Sequence, residues 1–308
     1  MDSEERLQAL VAPLRSDVLS GAATVAKTAA EVMRRAAVRL PAGSIDELRW
    51  GLGQAGRKVL EAQPVMAPLV LLVRSVLAAV EAAEGVEDGR HAAASAAEAF
   101  RSELEKRSHA VAERAAELLK GQRTVATLSS SSTVRAALLL GGEARSRTVV
   151  CFESRPMGEG RTLASALADA GMQVTFAVDA AAHSLVPSCD VVVIGCDSIG
   201  DRGVVNKIGS AALAQAAARA GVPVYVLADE SKMLPRGFPQ RVDDDRPGEE
   251  VWTAQPRVRV WNRYFEVVPM GDVTGVVTEA GLLGAGEVER LRARVEFPDV
   301  LRRWAEGE

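Results

Sequence analysis

From residue 122 onward the chain repeats one device: a short, continuously apolar, β-branched run that ends on polar residues, then a helical stretch, at a spacing of roughly 20 to 30 residues. The runs are TVATL (124 to 128), TVVCFE (148 to 153), VTFAVD (174 to 179), DVVVIG (190 to 195) and VPVYVLA (222 to 228). Runs that are apolar at every position belong to strands of a parallel sheet covered on both faces, since a strand with one wet face needs apolar residues only at alternate positions. Helical periodicity over 133–140, 162–170 and 210–220 supplies that cover. The predicted fold class is therefore α/β, with a Rossmann-like parallel sheet. Its tail, from Arg257, is expected to hold a further strand in VRVW (258–261), an irregular NRYFEVVP segment, and two short helices.

The first 120 residues read differently. They are rich in Ala, Leu, Glu and Arg, with apolar positions recurring at three and four, the helical period. Ser44 and Glu47 form a capping-box pattern that starts a helix at 45 and carries it to 62, ahead of Pro64. A second helix is expected over 69–83. A long alanine-rich one follows over 90–120, with Glu103 and Arg107 spaced for an ion pair and Gly121 placed to end it. The expected organisation is an N-terminal α-helical domain over 1–121, closing in a long connecting helix, followed by a Rossmann-like domain over 122–308 with C-terminal helices.

Several function classes are disfavoured. A net charge of -4 supplies no basic field for nucleic acid or an anionic membrane. The longest apolar stretch, 65–80, is too short to span a bilayer and is interrupted by Pro68 and Arg74, so it reads as a buried helix. Asp2, Glu4, Glu5 and Arg6 stand where a secretory leader would be basic and then greasy, which makes the expected location cytoplasmic. Cys151, Cys189 and Cys196 make no CxxC pair, and His91, His109 and His183 are scattered, so neither a disulfide framework nor a metal site is expected. No GxGxxG follows the first strand and no GxxxxGK[ST] occurs, so no nucleotide cofactor is expected either.

In an open parallel sheet, ligands sit beyond the carboxyl ends of the strands. All five ends here are polar, and the reading brings them to one crevice. The first carries Ser129, Ser130, Ser131, Ser132 and Thr133 at a helix start, where hydroxyls and free N–H groups make an anion site, although any one serine could serve only as an N-cap. The second carries Glu153, Arg155 and Glu159, and the third Asp179. The fourth carries Asp197, Asn206 and Lys207, and the fifth Lys232. After Lys120 the only lysines are Lys207 and Lys232, both placed in strand-end loops by this reading. In a chain that otherwise uses arginine, they point to a phosphate. Asp197 follows a buried strand, where desolvation raises a carboxyl toward acid/base work, with a loop-capping role as the alternative. Cys196 reads as a small buried residue. The acidic stretch 243–250 reads as a solvated loop, or as a lid over the crevice.

The segments ESRPMGEGRTLASAL, GCDSI followed by VVNKIGS, and NRYFEVVP with VTEAG resemble the initiation factor 2B alpha, beta and delta family. That superfamily also holds methylthioribose-1-phosphate isomerase and ribose-1,5-bisphosphate isomerase. The similarity covers most of 122–285 and, more faintly, SGAATVAK (20–27) and QPVMAPL (63–69). The resemblance implies a helical domain before a Rossmann-like one, a homodimer or higher homo-oligomer, a phosphorylated small molecule as partner, and a family association with translation initiation. It implies ligand contacts at Ser20, Gly21, Ala22, Gln63, Glu159, Asn206, Lys207 and Lys232. Asp197 matches the isomerases' catalytic aspartate. Their cysteine falls on Ser129, two of their arginines on Ser20 and Gln63, and a glutamine on Glu159. These departures lead to a first expectation of a binding module for a sugar phosphate or nucleoside monophosphate without turnover. The alternative is an aldose-ketose isomerase on a phosphorylated pentose, with Asp197 as acid/base and another group in place of the cysteine.

Overall fold

The computed structural model describes residues 3–140 and 146–307. Five helices come first: α1 (Ser3–Ser16), α2 (Ala22–Arg39), α3 (Ile45–Ala62), α4 (Ala67–Glu81) and α5 (Val86–Leu118). Helix α3 occupies the predicted range. Its Ser44 hydroxyl accepts from the Glu47 N–H at 3.2 Å, while the Glu47 carboxylate reaches one residue further back, to the Gly43 N–H at 2.8 Å. The long α5 carries the expected Glu103–Arg107 pair at 3.1 Å, and Gly121 turns the chain with φ +78°, a conformation that costs glycine little. Two stretches of α5 do different work. Ala93, Ala97, Phe100 and Leu104 pack in the helical core with Met33, Leu48, Leu69 and Leu72, whereas Val111, Ala112 and Ala115, together with Leu119 just past the helix end, pack on the sheet.

The remaining elements are β1 (Thr124–Leu128), α6 (Ser132–Leu139), β2 (Thr148–Phe152), α7 (Gly160–Asp169), β3 (Gln173–Ala177), α8 (Ala182–Leu185), β4 (Val191–Ile194), β5 (Ser198–Gly200), β6 (Gly203–Lys207), α9 (Ser210–Ala220), β7 (Val224–Leu227), β8 (Phe265–Val268), β9 (Gly275–Thr278), β10 (Gly281–Leu283), α10 (Ala285–Arg292) and α11 (Asp299–Glu306). The main sheet runs β10-β9-β7-β4-β1-β2-β3, parallel throughout except for β10. Successive residues of its inner strands serve opposite faces. Val125, Val149, Val191 and Val193 pack with α5, while Ala126, Val150, Val192 and Ile194 pack with α9. The chain builds β1, β2 and β3 outward in one direction and then crosses to β4 on the other side of β1, so the order reverses between β1 and β4. Crevices for ligands open at such a reversal.

The structure departs from the sequence reading in several places, and the main sheet gains two strands that reading did not include, β9 and β10. The VRVW segment is not a strand: Val258 and Trp261 are exposed and no ladder partner reaches it. The strand lies instead within the segment read as irregular, where β8 pairs antiparallel with β6, and β6 with β5, in a second small sheet. Lys207 therefore ends a strand and does not sit in a loop. Strand β3 is not covered on both faces, because it forms the sheet edge and leaves Phe176 exposed. The 243–250 segment is neither a freely solvated loop nor a free lid. The Asp243 side chain is fully buried and accepts from the Tyr264 and Phe265 N–H groups, and Glu250 accepts from the Tyr264 hydroxyl at 2.6 Å.

Candidate functional site

The β1 and β4 ends meet closely. A Cβ on Gly195 would come within 2.8 Å of the Ser131 Cβ, so glycine is required for the two loops to approach. Around this contact lies a cavity lined by Ser20 to Ala22, Ser129 to Thr133, Glu159, Asp197, Asn206, Lys207 and Lys232. Ser131 is the N-cap of α6, its hydroxyl accepting from the Val134 N–H at 3.3 Å, so the capping alternative describes that serine. Ser130, Ser132 and the helix start face the same cavity.

Asp197 is the junction of the molecule. Only 6% exposed, it follows β4, and its backbone N–H donates to Val205 of β6 at 2.9 Å. Its backbone carbonyl accepts from the Ala67 N–H, the first residue of α4, at 3.1 Å. The Ala22 N–H, at the start of α2, donates to its carboxylate. Two helices of the N-terminal half thus direct their amino ends at one residue of the sheet half, and the positive end of α2 meets the carboxylate directly. Burial pushes the Asp197 carboxyl up from 3.8 to about 6, against the lowering pull of the Lys232 charge and the Ala22 N–H. Such a group is poised to exchange a proton near neutrality.

Lys207 and Lys232 are 4% and 3% exposed, rare burial for ammonium groups. The Lys207 Nζ lies 3.0 Å from a Glu159 carboxylate oxygen and 5.3 Å from the Tyr264 ring centroid. Asn206 is held by its amide, which donates to the Ser210 hydroxyl at 2.9 Å. Ser210 in turn donates to the Lys207 carbonyl at 2.6 Å. Glu266 on β8 accepts from the Gly209 and Ala211 N–H groups, each at 2.8 Å, which fixes the start of α9 behind Lys207.

Ser129 adopts a left-handed conformation, φ +72°, uncommon for a side-chain-bearing residue and frequent where a site holds strain. The Ser154 hydroxyl accepts its N–H at 2.7 Å, and its own hydroxyl donates to Glu159 at 3.0 Å.

Three expected contact residues lie elsewhere. The Gln63 amide donates to the Leu14 and Asp17 carbonyls at 2.7 and 2.8 Å, so it ties down the end of α1 and faces an adjoining hollow. Arg155 reaches away to the Val251 carbonyl at 3.1 Å. Glu153 faces Arg161 at 3.9 Å. Asp179 also stays out of the cavity, and its carboxylate accepts from the Ser154 and Arg155 N–H groups at 2.8 Å each. Conversely, Tyr264 and Phe265 line the cavity without having been singled out. Both lie in NRYFEVVP, a segment that carries the family resemblance, but that resemblance attached no contact role to either aromatic.

The described residues hold no group of three or more His, Cys, Asp or Glu able to bind a metal ion, and no described helix is long and apolar enough to cross a membrane. All three cysteines are buried, and desolvation raises each thiol, Cys189 to about 11 and Cys151 to about 12.

Comparison with known proteins gives a consistent placement. A sequence profile of the initiation factor 2 subunit family matches residues 18–285. Ribose 1,5-bisphosphate isomerase of Archaeoglobus fulgidus is 30% identical over 288 residues, 91% of this chain and 90% of that protein. Methylthioribose-1-phosphate isomerase of Gemmatimonas aurantiaca is 33% identical over 165 residues, 52% of this chain and 48% of its own. Among solved structures, translation initiation factor eIF-2B of Pyrococcus horikoshii superposes with a TM-score of 0.79 at 27% identity, covering 91% of this chain and 98% of that one.

Proposed function

The chain belongs to the initiation factor 2 subunit family, and from that premise we propose that it is an aldose-ketose isomerase of a phosphorylated pentose, ribose 1,5-bisphosphate or methylthioribose 1-phosphate in type, with Asp197 as an acid/base group. The observation that carries this reading is the buried Asp197 carboxyl, lifted to about 6, in one cavity with two buried lysines and a serine-rich helix start. The relatives that align over most of this chain bear isomerase names, which favours turnover over binding alone.

The chemistry asks for these groups. A pentose phosphorylated at C1 has no free anomeric hydroxyl, so its ring opens only if an acid protonates the ring oxygen. A hydrogen then moves from C2 to C1, and the C2 hydroxyl loses its proton. Nothing is oxidised or reduced overall, because both carbons belong to one molecule. Asp197 can supply the first proton and recover the last. Lys207, Lys232, Asn206 and the Ser130 to Ser132 turn supply charge and donors for phosphate, and the Ser20 to Ala22 segment closes the cavity from the helical side. The site then sits between the proposed helical domain, 1–121, and the proposed Rossmann-like domain, 122–308. We also propose a homodimer or higher homo-oligomer, which light scattering tests.

A second reading, binding without turnover, draws support from Ser129 in the place of the isomerase cysteine. Thermal unfolding with ribose 1,5-bisphosphate, methylthioribose 1-phosphate and AMP, paired with product analysis, separates the two. A stabilising shift accompanied by ketose product supports the isomerase. A shift with every ligand unchanged supports the binding module, since occupancy alone stabilises a fold.

A further inference from the structure

The cavity contains a second carboxylate that ligand binding does not explain. Glu159 is 8% exposed, and one of its oxygens, Oε1, is shared by the Ser129 hydroxyl and the Lys207 ammonium, each at 3.0 Å. The other oxygen, Oε2, is buried and has no hydrogen-bond partner. A buried acceptor without a partner is costly, and native structures retain one mostly where it serves a purpose. A carboxylate is also a poor neighbour for an anionic phosphate, so a pure binding role gives Glu159 no advantage. Its position is nonetheless strongly determined. The left-handed Ser129 aims its hydroxyl at Oε1, and the chain turns directly into α7, where a Cβ on Gly160 would sit 1.9 Å from the Phe152 carbonyl oxygen. The negative charge of Glu159 also contributes to the upward shift of Asp197, so the two carboxyls share one electrostatic environment.

We infer that Glu159 is the second proton-transfer group of this site, with Oε2 taking the C2 hydrogen of the sugar as a proton while Ser129 and Lys207 hold Oε1. The inference rests on the isomerase reading and deepens it. The protonated Asp197 gives its proton to the ring oxygen as the bond from C1 to that oxygen breaks, leaving a cation shared between C1 and the ester oxygen. Glu159 removes the C2 proton, and the released electron pair forms the C1–C2 double bond of an enol phosphate. The Glu159 carboxyl then returns a proton to C1, and the C2 hydroxyl proton passes to Asp197 as the ketone forms. Both residues end in their starting states, and no oxidant or reductant is consumed. Ser129 is a positioning residue in this scheme, so no reactive thiol is needed at its place.

The test compares the parent protein with Glu159→Gln and Ser129→Ala, using ribose 1,5-bisphosphate in ordinary and heavy water. Glu159→Gln keeps an oxygen for Ser129, and its kcat is expected to fall on the order of 10²-fold or more, with ligand-induced thermal stabilisation retained. Ser129→Ala is expected to lower kcat by about tenfold with little change in KM, the mark of a group that orients another. In heavy water the parent is expected to place deuterium at C1 of the product, because a carboxyl proton exchanges with solvent. A Glu159→Gln variant within about twofold of the parent kcat overturns the assignment. So does complete carry-over of the C2 hydrogen to C1, a measurement on the parent alone that stands even if the variant does not fold. Absence of product from the parent, by contrast, removes the isomerase reading itself.

Discussion

Replacing Asp197 by asparagine should make the protein more stable and less useful. The carboxyl is pushed from 3.8 to about 6 by burial, so the folded state resists its ionisation. A rise of about 2 units corresponds to about 3 kcal/mol, at ~1.4 kcal/mol per unit. The sign follows from proton counting. At pH 3 and below, the group is largely protonated in both states and costs nothing. Between about 4 and 6 the unfolded chain releases its proton while the folded chain keeps it, so stability declines as pH rises. Above about 6 the full penalty is present. Asparagine stays neutral at every pH and its oxygen can still accept from the Ala22 N–H. Denaturant unfolding of parent and Asp197→Asn should therefore differ by about 3 kcal/mol in favour of the variant at pH 8 and converge near pH 3. Equal stabilities at pH 8, or a difference that ignores pH, would refute the claim that this carboxyl is held ionised against its surroundings. Such a gain at a functional position is the usual relation between stability and activity.

Other perturbations have equally defined outcomes. Lys207→Ala should abolish the thermal shift produced by a sugar phosphate, and it should destabilise the free protein because Glu159 loses its buried cation, an effect of about 3 kcal/mol or more by denaturant unfolding. Gly195→Ala should leave most of the fold intact by circular dichroism but weaken ligand binding, since its methyl group would displace Ser131 at the start of α6. Gln63→Leu removes the donor to two carbonyls at the end of α1 and should cost on the order of 1–3 kcal/mol, with faster proteolysis near residues 14–20 and little loss of phosphate affinity.

The sheet was readable where burial leaves a mark on composition. Strands β1, β2, β4 and β7 are apolar at successive positions because both faces are covered, and the polar ends of β4 and β7 pointed to Asp197 and Lys232, which line one cavity; Lys207, read into the loop after β4, lines it too but from the end of β6. Strand β3 carries the same kind of run yet forms the sheet edge, and a run of apolar residues does not distinguish an inner strand from an outer one. Strands β5, β6, β8, β9 and β10 were missed because they are three to five residues long: β5 and β6 form a short hairpin, and β8 joins it only by pairing with β6 across about 60 residues of chain. VRVW showed the converse, β-prone residues with no partner. The site was legible residue by residue but not as a set of contacts. Gln63 sits where the family resemblance places a ligand contact, while two backbone carbonyls 46 and 49 residues away claim its amide. The link between Ser129 and Glu159 joins residues 30 apart and exists only once the turn from β2 into α7 stands beside the β1 end.

The most direct trial of the whole account is a single-turnover experiment with protein in excess over ribose 1,5-bisphosphate labelled with carbon-13 at C2, followed by NMR. The account predicts a ketone carbonyl signal that grows with the parent protein and is absent with Asp197→Asn at matched occupancy. A parent protein saturated with the sugar that yields no carbonyl signal, or an Asp197→Asn variant that yields it at the same rate, would contradict the account.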